Sequence, residues 1–263
     1  MNDDLALALE LADIADTVTS ASFRDLDLAI ESKPDMTLVS AADRGTEETI
    51  RKHLSMVRPD DGVLGEEFGE TVGTSGLRWV LDPIDGTHNY VRGIPVWASL
   101  IAAERDGTAV VAVVSAPALR RRWFASKGHG AFIATDDNDG TGDDPGQRIH
   151  VSGVTSLADA QLSCGWERML FNAGYQSLAK QCWRVRGFGD FWSLVLLAEG
   201  AVDIAIEPGK HYDLVAPNLI IEEAGGTVTD RTGGDALAAG LSVATNGHLH
   251  DDVLKVLGSQ NDT

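Results

Sequence analysis

The sequence predicts an α/β fold made of two stacked α/β units. Apolar runs of strand length alternate with segments in which apolar residues recur at helical spacing, the order typical of α/β proteins. The pair Asp106-Gly107 separates two apolar runs and is a strong hairpin signal. Residues 135–147 are rich in Asp and Gly and hold no apolar residue, which predicts a loop between an N-terminal unit, 1–140, and a C-terminal unit, 141–263.

The N-terminal unit is expected to begin with two helices and to continue as a sheet. The apolar residues that should face its core are Leu7, Leu11, Ile14 and Val18 in the first helix, and Ile50, Leu54 and Val57 in the second. The second helix would begin near Asp43 and end before Pro59, and the simplest role of Asp43 is then to cap it. Apolar runs that predict strands follow at residues 63–64, 77–81, 96–103, 108–115, 122–126 and 131–134.

The C-terminal unit is expected to continue the alternation. Predicted strands lie at residues 148–152, 161–164, 183–186, 202–207 and 241–245, and predicted helices pass through Leu170 and Leu178, cover 194–198 and 213–224, and pass through Leu249, Val253 and Leu257. Gly225-Gly226 should end the helix over 213–224. Aromatic residues within apolar segments are expected in the core: Trp97, Trp123, Phe124, Trp183 and Trp192. Cys164 and Cys182 show no metal spacing and are predicted to be reduced.

Composition limits the classes of partner. A formal net charge of −19 argues against nucleic acid or an anionic membrane, because both bind through basic surfaces. The first residues lack the basic region of a signal peptide and no apolar run approaches the length of a membrane span, so a cytoplasmic location is predicted. A phosphorylated substrate would have to be attracted by bound cations.

The segment Asp82-Pro83-Ile84-Asp85-Gly86-Thr87 is the most informative in the chain. Two carboxylates at the end of a predicted buried strand lead into a Gly-Thr turn that can present N–H groups to an anion, and ligands collect at the carboxyl ends of strands in α/β folds. Upstream, Gly65-Glu66-Glu67 places two more acids after an apolar pair. Several oxygen ligands at one place would form a site for a hard divalent cation such as Mg²⁺.

Electrostatics decides between a metal site and a solvated acidic turn, which is the plain alternative in a chain with 40 acidic residues. Two carboxylates about 4 Å apart repel by roughly 4 kcal/mol at an effective dielectric near 20. Such a cluster either takes up protons or binds a cation. The whole pattern of strand, acids and Gly-Thr turn therefore favours a metal site.

Other catalytic designs are excluded by missing motifs. The sequence contains no GxxxxGK[ST] phosphate loop, no GxSxG elbow and no HExxH helix. Carboxylate–metal chemistry remains. Phosphate monoesters hydrolyse very slowly unaided, and two Mg²⁺ ions about 3.5 to 4 Å apart both generate hydroxide and neutralise the leaving oxygen.

Four blocks in order carry a family resemblance. They are WVLDPIDGT at 79–87, YDLVAP at 212–217 with EEAGG at 222–226, GEE at 65–67, and SAAD at 40–43. With these blocks the chain resembles the inositol monophosphatase family of Mg²⁺-dependent, lithium-sensitive phosphatases over nearly its whole length. The resemblance implies a layered α-β-α-β-α sandwich of the sugar phosphatase type, a small phosphorylated metabolite as substrate, two or three Mg²⁺ ions per site, and a homodimer.

The resemblance also implies roles for residues of this chain. Glu66 and Asp82 would hold the first metal with the carbonyl of Ile84. Asp82 would bridge to a second metal held by Asp85 and Asp213. Asp85 and the N–H groups of Gly86 and Thr87 would bind the phosphate. The implied catalytic groups are Asp43, Glu66 and the Thr87 hydroxyl, which would orient the attacking water near a third, weaker metal position.

The substrate is inferred from Gly187-Phe188-Gly189-Asp190-Phe191. An acid stands beside the glycine where family members acting on inositol phosphates carry Gly-Ser-Ala-Ala, a pattern similar to the histidinol-phosphate phosphatase branch. Asp190 could pair with the ammonium group of histidinol phosphate, or it could cap the following helix. Glu207 would add a second acceptor, Arg186 would shape the pocket, and Asp213 would also face the substrate.

Some positions depart from the family pattern. His88 follows Asp-Gly-Thr, Tyr212 replaces a tryptophan, and the interval from Glu207 to Asp213 is one residue short. These departures surround the expected pocket and affect the choice of substrate more than metal binding. Histidinol phosphate, which histidine biosynthesis consumes, is the preferred substrate. Inositol 1-phosphate is the alternative, and a non-catalytic protein that binds a metal or a phosphometabolite is a rival of another class.

Overall fold

A computed structural model gives the fold, and it describes residues 3–25, 30–32, 38–135, 146–165 and 172–258. The chain divides into one unit of Met1–Lys127 with Phe132–Gln147 and a second unit of Gly128–Ala131 with Arg148–Thr263. Helices alternate with strands in both units, so the predicted α/β class is confirmed.

The N-terminal part of the chain forms three helices and ten strands among the described residues. In chain order these are α1 (Asp3–Ser22), β1 (Ile30–Ser32), β2 (Leu38–Ser40), α2 (Ala41–Val57), β3 (Gly62–Gly65), β4 (Gly69–Thr71), β5 (Leu77–Asp85), α3 (Thr87–Val91), β6 (Ala98–Arg105), β7 (Thr108–Ala116), β8 (Arg121–Ser126), β9 (Gly130–Thr135) and β10 (Gln147–Ile149). Strands β1 and β2 pair with each other, and the others form one sheet in the order β10-β9-β8-β7-β6-β5-β3-β4.

Sheet register places the acidic segments side by side. Strand β3 runs parallel to β5, with Gly65 opposite Leu81, and the N–H of Glu66 donates to the carbonyl of Leu81 at 3.2 Å. The expected hairpin joins β6 and β7 through Asp106 and Gly107, both of which have positive φ, as a type I′ turn requires. Glu66 therefore leaves its strand beside the end of β5.

Helices α1 and α2 pack on this sheet through the predicted apolar stripes. The buried residues of this core include Leu7, Leu11, Ala15, Ile50, Leu54, Trp79, Leu81, Ile101 and Val113. A smaller cluster lies around the end of β5, where Tyr90 and Trp97 meet edge to face with ring centroids 4.9 Å apart. The Tyr90 hydroxyl donates to the carbonyl of Thr19 at 2.7 Å, which ties the turn after β5 to α1.

The second unit contains five helices and five strands among its described residues. They are β11 (Gln161–Ser163), α4 (Ala173–Gln181), β12 (Arg184–Arg186), α5 (Asp190–Ala198), β13 (Ile204–Pro208), α6 (His211–Glu223), β14 (Thr227–Thr229), α7 (Ala236–Ala239), β15 (Leu241–Thr245) and α8 (His250–Gly258). The sheet order is β12-β11-β13-β15-β14, with β11 parallel to both of its neighbours. Apolar residues of α4 and α8 pack with β11, β13 and β15 to form the core.

Three predictions about secondary structure and burial are wrong. The strand expected over 148–152 ends at Ile149, because the N–H of Val151 donates to the carbonyl of Ala224 at 3.1 Å instead of to a neighbouring strand. Val57 is 46% exposed, since it is the last residue of α2. Trp183 is 66% exposed, because it precedes the edge strand β12, and the guanidinium of Arg184 lies over its ring.

Other expectations are met or fall partly outside the described residues. Trp97, Trp123 and Phe124 are buried, and both cysteines are free thiols. Leu170 and most of the expected acidic loop, residues 136–145, lie outside the described part of the chain. The short elements β4, α3, β14 and α7 were not predicted.

Among the described residues, every helix is too short or too polar to cross a lipid bilayer.

Candidate active site

A β-bulge in β5 brings two predicted metal ligands to the same side of the strand. Residues three apart in a regular strand point to opposite faces. Asp82 lies opposite Leu100 and Asp85 opposite Ala98, so β5 has one residue more than β6 over this interval. A carboxylate oxygen of Asp82 and one of Asp85 lie within 4.8 Å of each other. At an effective dielectric near 20 these charges repel by about 3.5 kcal/mol, so the pair favours a cation between them.

Proline and a local hydrogen bond stabilise the bulge. Pro83 has no N–H to give to a ladder, and its carbonyl accepts the Ser99 hydroxyl at 2.7 Å. The N–H of Ile84 donates to Oδ1 of Asp82 at 3.0 Å. The sequence Asp-Pro-Ile-Asp therefore encodes the irregular strand end that places both acids.

Asp43 lies in the first turn of α2 and is fully buried. Ser40, not Asp43, occupies the N-cap position, so the prediction that Asp43 is the cap residue is wrong. Oδ2 of Asp43 accepts the N–H and the hydroxyl of Ser40, at 2.7 and 2.5 Å, in a capping box. Its Oδ1 is buried without a hydrogen-bond partner among the described residues. A buried acceptor in this state is expected to be satisfied by a water or an ion.

The charge around Asp43 shows that other acids are near. Burial raises the pKa of Asp43 to about 6, the hydrogen bonds from Ser40 lower it, and the negative charges of Glu67 and Glu66 raise it further. Three acids from α2 and the β3–β4 turn therefore share one electrostatic environment. A divalent cation would relieve their repulsion.

Glu47 is a buried carboxylate that the sequence analysis missed. It accepts the N–H groups of Glu67 and Phe68 at 2.7 and 3.2 Å, and it pairs with Nε of Arg51 at 2.7 Å. A Cβ atom at Gly65 would overlap this carboxylate, so the glycine allows the close approach. Glu47 thereby fixes the turn that carries Glu66. Its position four residues after Asp43 on the same helix face was the available signal.

The turn after Asp85 has the geometry expected of an anion-binding segment. Gly86 has φ of 81°, a left-handed conformation that favours glycine, and it precedes the short helix α3. The Thr87 hydroxyl donates to the carbonyl of Ile84 at 2.9 Å, so its oxygen can still accept a hydrogen bond from another donor. The first N–H groups of a helix have no partner within the helix, and they point outward from its N-terminus.

The residues present fit a hard divalent cation. The acids at the end of β5, the orphan oxygen of Asp43 and the neighbouring glutamates of the β3–β4 turn are all oxygen donors of the type that Mg²⁺ prefers. A group of acidic residues that could hold a metal is thus present, as the sequence analysis expected.

In the second unit, Asp213 lies in the first turn of α6 and is half-buried. Its Oδ2 accepts the N–H of Lys210 at 2.7 Å, the same capping arrangement that Asp43 makes in α2. Of the departures from the family pattern, Tyr212 lies under the ammonium group of Lys210 and His88 is exposed on α3.

Two of the predicted substrate residues lie close together in the second unit. Glu207 is the penultimate residue of β13, is buried, and accepts the N–H of Gly165 at 2.9 Å. Burial raises its pKa to about 7, hydrogen bonds from Ser193 and Gly165 lower it, and the charge of Asp190 raises it. Asp190 is exposed, and it is the first residue of α5 after the cap position of Gly189, so the capping role is wrong. Arg186 is also exposed, and its guanidinium donates to the carbonyl of Val185 at 3.4 Å.

Asp190 has an unusual backbone conformation. Its φ is 50°, in the left-handed region that few residues other than glycine, asparagine and aspartate adopt. Strained residues of this kind concentrate at functional sites.

The chain belongs to the inositol monophosphatase family, whose model matches residues 2–261. The fold agrees, because a solved inositol monophosphatase (IMPase) from Thermotoga maritima superposes with a TM-score of 0.85 at 28% identity, covering 98% of this chain and 97% of that one.

Two curated relatives are more similar in sequence. A histidinol-phosphatase from Mycobacterium tuberculosis is 50% identical, covering 98% of this chain and 99% of its own length. A histidinol-phosphatase from Streptomyces coelicolor is 48% identical and covers 98% of each chain. The resemblance stated from the sequence blocks is therefore confirmed.

Proposed function

We propose that this protein is a Mg²⁺-dependent phosphomonoesterase that hydrolyses L-histidinol phosphate to L-histidinol and phosphate. The choice of substrate depends on one observation: relatives called histidinol-phosphatase share 48 to 50% identity with it over nearly the full chain. The class of enzyme, a phosphoric monoester hydrolase, follows from the family. The acidic cluster at the end of β5 is consistent with that class.

Glu66, Asp82, Asp85, Asp213 and the carbonyl of Ile84 would hold the metal ions. When bound, Mg²⁺ would activate a water and neutralise charge on the phosphate oxygens. The proposal is supported by the bulge that turns Asp82 and Asp85 to one side, by the register that sets Glu66 beside them, and by the sequence block at 212–217 that contains Asp213.

The attacking water would be oriented by Thr87 and Asp43. The Thr87 hydroxyl donates its hydrogen bond to the Ile84 carbonyl, so the hydroxyl oxygen can accept a hydrogen bond from the water. Oδ1 of Asp43 is the second acceptor available for it. Phosphate would bind to the N–H groups of Gly86 and Thr87 at the start of α3, donors that are fixed before the reaction.

The alcohol part of the substrate would meet Glu207 and Asp190. Two carboxylates, one buried and one exposed, make a site for a cation, and histidinol phosphate carries an ammonium group. Inositol phosphate offers only hydroxyls and gains less from them. Arg186 would shape the substrate pocket.

Phosphate release from a panel of esters tests the function. With Mg²⁺ present, L-histidinol phosphate should be turned over with a kcat/KM at least about 100-fold above that of inositol 1-phosphate, an uncharged alcohol's ester, because a charge pair is lost. Asp190→Ala should reduce this preference, and Asp159→Ala, at another exposed acid of the second unit, should keep it.

Two results would point elsewhere. Preference for inositol 1-phosphate would support the alternative substrate. Tight Mg²⁺ binding in calorimetry with no phosphate released from any ester would support a non-catalytic binding protein. A homodimer and a cytoplasmic location remain predictions, and light scattering after size exclusion tests the first.

A further inference from the structure

Two fully buried serine side chains lie near Glu207 in the second unit. Ser163 ends β11 and Ser193 lies in α5, and both are fully buried. Their hydroxyl oxygens are 2.8 Å apart. A fully buried hydroxyl must find its hydrogen-bond partners inside the protein.

The contacts of Ser193 determine the direction of its hydrogen bonds. Its oxygen receives the N–H of Gly189 at 2.8 Å, and its hydroxyl bonds to the carboxylate of Glu207. An ionised carboxylate only accepts, and a hydroxyl has one proton to give. When Glu207 is ionised, the Ser193 hydroxyl therefore donates its hydrogen bond to Glu207, and the Ser193 oxygen accepts a hydrogen bond from the Ser163 hydroxyl.

The contacts of Ser163 continue the chain in the same direction. Ser163 accepts the N–H of Phe188 at 3.3 Å. Hydrogen bonds thus run from the backbone of residues 188 and 189, through two hydroxyls, to Glu207, which also accepts the N–H of Gly165. Each hydrogen-bond donor in this network therefore has an acceptor.

This hydrogen-bond network joins the turn over residues 187–189 to the Glu207 carboxylate. A Cβ at Gly165 would overlap the Cα of Gly189, so the turn lies directly against the backbone after β11. Asp190 follows the turn with its left-handed φ. The two acids proposed to meet the substrate are therefore positioned by the same pair of hydroxyls.

We propose that Ser163 and Ser193 are a positioning pair, which orients Glu207 and the Asp190 turn so that the protein selects a phosphate ester with a cationic alcohol group. This inference rests on the proposed function, because it concerns the selectivity of the same site. Neither serine would touch the substrate.

The charged and titratable groups around Glu207 set how the pair acts at different pH. Asp190 of α5 raises the pKa of Glu207, Tyr175 of α4 lies close enough to feel its charge, and the Ser193 hydrogen bond lowers it. With a pKa of about 7, Glu207 is only partly ionised at neutral pH. Removing the Ser193 hydroxyl should raise this pKa, so less of the carboxylate would be charged at pH 7.

The experiment compares Ser193→Ala and Ser163→Ala with the wild type, on L-histidinol phosphate and on inositol 1-phosphate. For Ser193→Ala the KM for L-histidinol phosphate should rise about tenfold at pH 7, the scale of one hydrogen bond to a charged group. It should recover toward the wild-type value at pH 8.5, where Glu207 ionises again. The KM for inositol 1-phosphate should change less than about twofold, and Ser163→Ala should give a smaller effect of the same kind.

Ser152→Ala is the matched control. Ser152 donates to Oδ1 of Asp203, a buried carboxylate next to the other end of β13, so this variant also loses a serine–carboxylate hydrogen bond. It should lose comparable stability and leave the ratio between the two substrates unchanged. An equal change for both substrates in Ser193→Ala, or no change, overturns the inference.

A measurement without substrate separates this inference from the proposed function. The carboxyl ¹³C shift of Glu207, assigned with Glu207→Gln, reports its titration directly. The titration midpoint should move upward in Ser193→Ala. An unmoved midpoint overturns the positioning role, whereas a wild type that shows no preference for L-histidinol phosphate counts against the proposed function.

Discussion

At the scale of single residues, the acids at the end of β5 destabilise the fold by repelling each other, and they provide the proposed metal site. Asp82 is buried beside Asp85, so the repulsion between their carboxylates lowers the stability of the folded protein when no cation is bound. The Asp82 side chain also accepts the N–H of Ile84, which an asparagine oxygen can still do. The local turn therefore does not need the charge at position 82, which the proposed metal site would use.

We expect Asp82→Asn to reduce the hydrolysis rate by at least about 100-fold, as losing a preorganised charged group typically does. Without divalent cations its melting temperature should rise, because the repulsion from Asp85 is removed; each gain of about 1 kcal/mol corresponds to about 2 to 4 °C for a chain of this size. Added Mg²⁺ should stabilise the wild type and leave the variant unchanged. Thermal unfolding with and without Mg²⁺ measures this.

Asp60→Asn is the control, because Asp60 is an exposed acid of the same unit. It should follow the wild type in both conditions. A variant at position 82 that still gains stability from Mg²⁺ would place the cation elsewhere.

At the scale of elements, α2 positions the turn between β3 and β4. Glu47 accepts two N–H groups of that turn, and Arg51 donates to the Gly69 carbonyl and to the Thr71 hydroxyl as well as to Glu47. The face of α2 that carries Glu47 and Arg51 thus fixes the turn that contains Glu66. This arrangement separates the residue that would bind a metal from the residue that places it.

Glu47→Gln should weaken Mg²⁺ binding and lower the free energy of unfolding by about 1 to 3 kcal/mol, because Arg51 loses its charged partner and an amide group meets two N–H donors. Isothermal calorimetry with Mg²⁺ and urea unfolding measure the two effects. Glu48→Gln is the matched control on the exposed face of α2. If Glu47→Gln loses stability but keeps its Mg²⁺ affinity, Glu47 supports the fold alone.

The sequence predicts the long elements well because their apolar periodicity reflects burial. The stripe of α1 and the hairpin at Asp106-Gly107 are confirmed for this reason. The three-residue strands β4 and β14 are too short to show a period. Trp183 shows the opposite error, since an apolar residue beside an edge strand carries the same pattern as a buried one.

The candidate site was predictable where one segment carries it, and not where distant segments meet. Asp82, Asp85 and Thr87 belong to a single motif whose chemistry can be deduced from the residue types. The contacts of Glu47 depend on pairing between α2 and the β3–β4 turn. The Ser163–Ser193 contact depends on β11 packing with α5. Only three-dimensional structure gives those distances.

At the scale of the whole molecule, acidity sets how stability varies with pH. The net charge of −19 falls in magnitude as pH decreases, while buried groups respond in their own direction. His250 begins α8 and bonds the hydroxyls of Thr229 and Thr245, at 2.9 and 3.1 Å, so it links two strands and a helix. Burial lowers its pKa below the ordinary value, against a smaller opposite effect of Asp251.

A histidine with a lowered pKa in the folded state contributes stability that is lost as pH falls. The unfolded chain takes up a proton near pH about 6.5, and the folded chain resists it until the lower folded pKa is reached. The wild type should therefore lose more free energy of unfolding between pH 7.5 and 5.5 than His250→Gln does. Urea unfolding at both pH values measures the difference.

His248→Gln, at an exposed histidine two residues earlier, should keep the wild-type slope. Equal slopes for the wild type and His250→Gln would show that another group sets the pH dependence.

The most direct test of the account is phosphate release from L-histidinol phosphate as a function of Mg²⁺ concentration, for the wild type and for Asp213→Asn. Carboxylates that share metal ions should make release saturable in Mg²⁺ for the wild type and reduce it by at least about 100-fold in the variant. Release that is independent of Mg²⁺, or equal in both proteins, would contradict the proposal that these acids hydrolyse the ester through bound cations.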